Sequence, residues 1–375
     1  MKIGVVCYPT FGGSGVVATE LGIALAHRGH EVHFITYKQP ARLAGFEANI
    51  YYHEVNTHDY PLFEHSMYDL ALASKLVDVV KFENLDLLHV HYAIPHATVA
   101  FLAKQILAEE GIHIPFITTL HGTDITLVGQ HSSFAPVVKF SIEQSDGVTA
   151  VSEFLKKETQ DVFRTERPIE VIPNFIDFER FQKKNKDHFK KAIAPDGQRV
   201  LVHISNFRKV KRVEDVIRVF EGVSKRIHST LLMIGDGPER TAMEALCREL
   251  GLCDQIRFLG KQEAIEEILA IADLFILPSE NESFGLAALE AMACQVPVIS
   301  SNAGGLPEVN EHGFSGYMAD VGDVQAMVTY SLDILSDENR LAEFKKQAFE
   351  QAQKFNVDQA VIRYEAYYNS LLVHN

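Results

Sequence analysis

The chain has 375 residues, 47% of them hydrophobic and 23% charged, enough for two globular domains and too apolar for a disordered chain. Its formal net charge of −15 argues against nucleic acid or an anionic membrane as the main partner, so any bound anion needs a local group of cations or N–H donors. Cys7, Cys247, Cys253 and Cys294 show no C-x-x-C spacing and read as buried thiols in a reducing compartment. With no signal peptide and no apolar run of transmembrane length in view, the expected location is cytoplasmic, without a membrane partner.

Residues 2–7 predict a strand, 11–15 a glycine loop, 16–27 a helix with Leu21 and Leu25 on one face, and 32–36 a second strand, which together make a βαβ unit. The alternation continues through strands at 86–90, 115–120, 147–151 and 169–172, with helices at 97–109, 137–144 and 153–163 between them. Residues 173–177 interrupt it, and the charged segment 179–191 marks a boundary. A second series follows, with strands at 200–205, 230–234, 255–259, 273–277 and 296–300 and helices at 213–223, 239–250, 263–270 and 284–293. Helices at 324–335, 338–353 and 357–372 close the chain. The expected fold class is α/β, with Rossmann-like domains at 1–173 and 174–355 and a C-terminal helix, 356–375, packing back toward the first domain. Doubly wound sheets bind ligands at the carboxyl ends of their strands, which places the expected site between the domains.

The most informative stretch is residues 282–290, E-S-F-G-L-A-A-L-E. Glu282 falls at a helix start and Glu290 about two turns inside, roughly 12 Å further along the axis. That exceeds the about 5–9.5 Å of a glycosidase carboxylate pair. It suits the two ends of an extended ligand: a sugar on Glu282, a diphosphate at the N–H groups of Phe284, Gly285 and Leu286, and a ribose on Glu290. The bland alternative is an acidic cap and one exposed helical Glu. In the first domain Gly13-x-Gly15-x-x-Ala18 fits a dinucleotide fingerprint, but no acid ends the second strand at residues 34–37, which disfavours an NAD-dependent oxidoreductase. His121, in the H-G-T-D of residues 121–124, is placed to bond a sugar hydroxyl or to be structural, and Asp124 to cap the next turn. Arg208, Lys209, Lys211 and Arg212 crowd one strand-to-helix loop, either as a solvated face or as a diphosphate cradle with Lys211 as its point charge. Gly260 and Lys261 end another strand, where backbone groups could meet a base. Residues 302–308 carry Gly304 and Gly305, which allow backbone approach or a bare turn. His89 and His91 have chelating spacing but no third ligand, and there is no D-x-D, so no metal is expected.

Taken together, the glycine loop, the 121–124 motif, Lys211, residues 235–237, 282–290 and 304–308 resemble the retaining family four glycosyltransferases, in order and over most of the chain. The resemblance implies a GT-B arrangement, two Rossmann-like domains facing across an interdomain cleft. Residues 7–15, 89–97, 119–126 and 205–213 are most similar to the branch that transfers N-acetylglucosamine from UDP-N-acetylglucosamine to L-malate, the first step of bacillithiol synthesis. By resemblance, His121, Lys211 and Glu282 are catalytic, and Gly13, Asn206, Arg208, Gly260, Lys261, Phe284, Gly285, Leu286 and Glu290 join Lys211 and Glu282 on the donor. Asn206 departs from the wider family, which has an Arg there; Arg208 is a substitute. Ser14, Tyr92, Thr119, Thr123 and Lys139 are acceptor candidates for malate. No cofactor or metal is implied, and no residue argues for or against a homodimer. The rivals are another acceptor, such as an inositol phosphate or a glycan, and a nucleotide-sugar sensor without turnover.

Overall fold

The structure is a computed structural model and describes residues 1–43, 47–57, 67–127, 129, 131–182 and 187–373. Residues 183–186 of the expected charged boundary segment lie outside the described residues. The chain forms two compact units, Met1–Asn174 with Val357–Asn375, and Phe175–Asn356.

In the first unit a seven-stranded sheet runs in the order β3-β2-β1-β4-β5-β6-β7. Its strands are β1 (Lys2–Val6), β2 (Glu31–Thr36), β3 (Ile50–Glu54), β4 (Leu87–His91), β5 (Phe116–Leu120), β6 (Gly147–Ala150) and β7 (Glu170–Val171). Every pairing is parallel, as buried βαβ crossovers require. Helices α1 (Gly13–His27), α2 (Tyr68–Glu83), α3 (Thr98–Glu109), α4 (Ala135–Gln144) and α5 (Glu153–Phe163) make the crossovers. One core joins Leu72, Leu76 and Val80 of α2 to Val99, Ala103 and Leu107 of α3 and to the apolar strand residues Val6, Leu88 and Phe116.

The second unit repeats the plan in a six-stranded parallel sheet, ordered β10-β9-β8-β11-β12-β13. Its strands are β8 (Arg199–Ile204), β9 (Ser229–Ile234), β10 (Ile256–Gly260), β11 (Leu274–Leu277), β12 (Val298–Ser301) and β13 (Gly316–Ala319). The helices are α6 (Asp187–Ile193), α7 (Val213–Ser224), α8 (Arg240–Glu249), α9 (Ile265–Leu269), α10 (Leu286–Ala293), α11 (Leu306–Val309), α12 (Val324–Leu335) and α13 (Glu338–Ala352). Helix α14 (Val357–Leu372) belongs to the first unit. There it buries Val361, Tyr364 and Tyr368, and Glu365 pairs with Arg28 at 2.8 Å and His30 at 2.9 Å.

Both sheets change direction after their first strand, β1 beside β4 and β8 beside β11, so each unit has one switch point where two strand-end loops lie side by side. Elements β3, α2, α6, α11 and β13 are not among those expected from the sequence. Edge strand β3, Ile-Tyr-Tyr-His-Glu, lacks period-2 alternation and is mostly exposed. Helix α2 carries its signal openly, in Leu72, Leu76, Val79 and Val80 at helical spacing. Cys253 is exposed, a correction to four buried thiols; it lies in the turn after α8, while Cys7, Cys247 and Cys294 are buried.

Candidate active site

In the second unit the loops after β8 and β11 meet at the switch point. Glu280 donates its N–H to the carbonyl of Val210 at 2.9 Å, which fixes the two loops to each other. That contact sets Lys211 Nζ 2.6 Å from Glu282 Oε1, with side chains 19% and 14% exposed. Ser279 Oγ donates to the same oxygen at 2.9 Å. Under them lies His203, buried on β8, with Nδ1 2.8 Å from the carbonyl of Ile276 and Nε2 2.8 Å from Ser205 Oγ. Burial holds its pKa down at about 4, so it is a neutral strut at pH 7.

The four cations of this loop divide by role. Arg212 is committed to Asp215 and, at 3.0 Å, to Glu280, while Lys211 faces Glu282. Arg208 and Lys209 are exposed, and Arg208 has no ion pair with a described residue. Asn206 is exposed beside them, as is Lys261 after the half-buried Gly260.

Helix α10 begins at Leu286 rather than at residue 284, because Gly285 has φ +104, which a helix does not admit and only glycine adopts cheaply. The N-cap residue Gly285 has no side chain with which to cap this start, where the first N–H groups lack intrahelical acceptors. Phe284 is buried against Phe355, so its backbone, not its ring, is what it can offer a ligand. Glu290 is only 4% exposed, which removes the reading of an exposed helical acid. A carboxylate this buried is held by a partner rather than by water.

In the first unit, Tyr92 follows β4 with φ +85, and its hydroxyl faces those of Ser14 and Thr123. Its ring packs on His121 at 5.3 Å and on Tyr8 at 5.6 Å. His121 Nε2 lies 2.8 Å from His91 Nδ1, and His91 stacks on His89 at 4.5 Å. Asp124 accepts N–H bonds from Gly122 at 3.0 Å and Ala93 at 2.8 Å, tying the β5 loop to the β4 loop rather than capping the turn after it. Burial raises its pKa to about 6 and lowers that of His121 to about 3.

Ser14, Tyr92, Thr123 and His121 are therefore brought together, and exposed Gly13 sits beside Ser14 in the first turn of α1. Two acceptor candidates are not. Thr119 is fully buried inside β5, held by His89 Nε2 and Thr149 Oγ1, each at 2.7 Å, because side chains alternate along a strand and residue 119 points into the sheet packing. Lys139 pairs instead with Glu143 at 3.6 Å, one turn along α4. The His89-x-His91 pair does not converge on an ion: His89 bonds Tyr368 and Thr119, and His91 bonds His121. These partners lie 30 or more residues away, which sequence spacing does not reveal.

The model for "Glycosyl transferases group 1" matches residues 184–351, and that for "Glycosyltransferase Family 4" matches residues 11–180. The N-acetyl-alpha-D-glucosaminyl L-malate synthase of Bacillus anthracis is 47% identical over 374 residues, covering 99% of this chain and 97% of that one. The chain belongs to the group 1 glycosyltransferases. The D-inositol 3-phosphate glycosyltransferase of Actinosynnema mirum is 26% identical, covering 82% of this chain and 80% of its own. Among solved structures, Anabaena HepE in complex with UDP-glucose superposes with TM-score 0.82 at 21% identity, covering 99% of this chain and 100% of that one. The sucrose-phosphate synthase of Thermosynechococcus elongatus gives 0.80 at 21%, covering both chains fully. The fold is that of GT-B glycosyltransferases.

Within this glycosyltransferase the 304–305 glycines pack against the Glu282 loop. Gly304 has φ +64, and a Cβ there would lie 2.1 Å from the Glu282 carbonyl oxygen; Gly305 donates its N–H to that oxygen at 2.7 Å. Gly304→Ala must displace the Glu282 backbone, and with it the partner of Lys211. We expect transfer to fall roughly 100-fold, the scale of a 1 Å misplacement, while circular dichroism stays that of the parent chain. Undiminished kcat in this variant would show that the loop position is unimportant.

Proposed function

We propose that the protein transfers N-acetylglucosamine from UDP-N-acetylglucosamine to the hydroxyl of L-malate with retention at the anomeric carbon. The observation that carries the transfer chemistry is the Lys211–Glu282 pair at a switch point, beside the glycine-led start of α10 and the buried Glu290. The choice of substrates is supported by the identity with the Bacillus anthracis synthase over almost the whole of both chains.

In this reading Glu290 accepts hydrogen bonds from the ribose and Glu282 from the donor sugar. Lys211, Arg208 and the N–H groups at 284–286 meet the diphosphate, on which charge grows as the bond from the anomeric carbon to the phosphate oxygen breaks. The malate hydroxyl attacks from the same face, and its proton passes to the departing phosphate oxygen. No metal is required, since cations and N–H groups of the chain supply the charge. His121 is neutral and bonds a sugar hydroxyl without donating a full charge. Ser14, Tyr92 and Thr123 are the acceptor group. Lys139 can join them, because an exposed i,i+4 pair holds it by only about 0.3–0.5 kcal/mol. In this reading the enzyme acts on small solutes in the cytoplasm; no helix among the described residues is long and apolar enough to cross a membrane.

The test is UDP release from UDP-N-acetylglucosamine with and without L-malate, in EDTA, with the product's anomeric configuration read by NMR. Malate-dependent release giving an α-linked product supports every part of the reading. Release indifferent to malate would discard the acceptor, a β-linked product the retaining course, and activity abolished by EDTA the metal-free course.

A further inference from the structure

Away from the switch point of the first unit, the outer strands carry a second group of chemistry-bearing side chains. β2 and β3 pair in parallel, with His33 opposite Tyr51 and Ile35 opposite His53. Residues two apart share a face, so His33, Tyr51 and His53 all project to one side of the sheet. His33 Nδ1 and His53 Nε2 converge to 3.0 Å, with the two rings stacked at 5.2 Å. Tyr51 covers His33 from the other side at 4.7 Å. The last residue of α2, Glu83, completes the group: one ligand atom from each of His33, His53 and Glu83 lies within 4.8 Å of the other two.

We propose that His33, His53 and Glu83 form a binding site for one divalent transition-metal ion, zinc by the nature of the ligands. Two imidazoles and one carboxylate are a zinc donor set that leaves a fourth position for water. Tetrahedral bonds of about 2.0–2.2 Å put neighbouring ligand atoms roughly 3.3 Å apart. The two nitrogens already stand near that separation, and Glu83, half-buried at a helix end, closes the remaining distance by a rotamer change. The ring environment also fits. His33 is buried and His53 part-buried, and the neutral imidazole is the form that ligates a metal. Without an ion the pair shares a single proton between the facing nitrogens.

An ion here clips β3, the edge strand, to β2 and to the end of α2. Edge strands are the least secured part of a sheet. Any ligand that binds the folded form alone stabilises it in proportion to the logarithm of its concentration over Kd. The site is separate from the glycosyl-transfer residues and does not depend on their assignment.

The experiment uses the full chain, stripped with EDTA and titrated with Zn²⁺, and with Co²⁺ as a spectroscopic probe. One equivalent should bind, Co²⁺ should show the intense visible absorption of a tetrahedral site, and the thermal midpoint should rise. His33 is fully buried, so a folding defect in His33→Gln would not discriminate; His53→Gln and Glu83→Gln, both only part-buried, carry the test. Each should weaken Zn²⁺ binding by about 100-fold or more, at least the upper end for loss of an outer-shell partner, with circular dichroism unchanged. A chain that binds no stoichiometric ion, leaving only a hydrogen-bonded histidine pair, overturns the proposal. So does one equivalent retained undiminished by both variants, which would place the ion elsewhere among the 17 histidines.

Discussion

Lys211→Met should lower kcat by about 10²–10³-fold, the scale for removing one preorganised donor from a developing oxyanion. The substitution keeps the length of the side chain and removes only its charge and N–H donors. In the folded chain that ammonium sits 2.6 Å from Glu282, with both groups mostly out of water. Its loss therefore acts twice: the departing diphosphate loses a cation, and Glu282 is left with Ser279 as its remaining close donor. The second effect is a defect of the variant rather than a property of the reaction, so the double variant Lys211→Met with Glu282→Gln should lose less than the two single changes combined. The measurements are kcat and KM for the donor, with a thermal midpoint to confirm folding. Because charge on the diphosphate grows only as the glycosidic bond breaks, kcat should fall far more than donor affinity. A variant with nearly parental kcat would remove Lys211 from the chemistry and leave it as a structural partner of Glu282.

The residues in that argument show what the sequence makes legible. Lys211 and Glu282 are 71 positions apart, yet each is identifiable as the end of a strand-to-helix loop, and two such loops meet wherever a parallel sheet reverses its order. Strand order follows from right-handed crossovers, so the periodicity carries the fold to the level of its switch points. What periodicity does not carry is side-chain company. Thr119 reads as a polar residue near a strand end, and only the pairing of β5 with β4 and β6 shows it enclosed by His89 and Thr149. His53 has the same difficulty: its partner His33 is 20 residues back, on a strand of a different segment, and the match depends on a register that no local pattern fixes. Gly304 is legible as a turn, but its role against the Glu282 carbonyl depends on how two loops stack.

Acidification should destabilise the first unit steeply between about pH 6.5 and 4, through the stacked rings of His89, His91 and His121 and the neighbouring His96. Burial holds all four below the ordinary histidine value: His89 and His121 at about 3, His96 at about 4, and His91 well below 6.5. Above pH 6.5 folded and unfolded chains both carry neutral rings, so the cluster contributes no pH dependence there. Below it the unfolded chain takes up protons that the folded chain excludes, and stability falls until the folded values are reached. For a single ring the cost at pH 5 is about 2 kcal/mol. Asp124 works in the opposite sense, since its raised pKa of about 6 lets the folded chain bind a proton first, but one carboxyl offsets less than one ring's share. The rings share hydrogen bonds and stacking, so their protons enter as a cluster and the apparent steps belong to no single residue. The thermal midpoint measured from pH 7.5 to 5 should drop with increasing slope. His96→Asn keeps a donor for the His91 carbonyl, now reached from Nδ1 at 2.6 Å, and should flatten that slope by removing one titrating ring. A midpoint level across this range would mean that the rings protonate in place. The same burial has a consequence for turnover: His121 stays neutral throughout the working range, so the profile of kcat should have no limb near 6.5 that vanishes in His121→Asn, and finding one would give this ring a charged role.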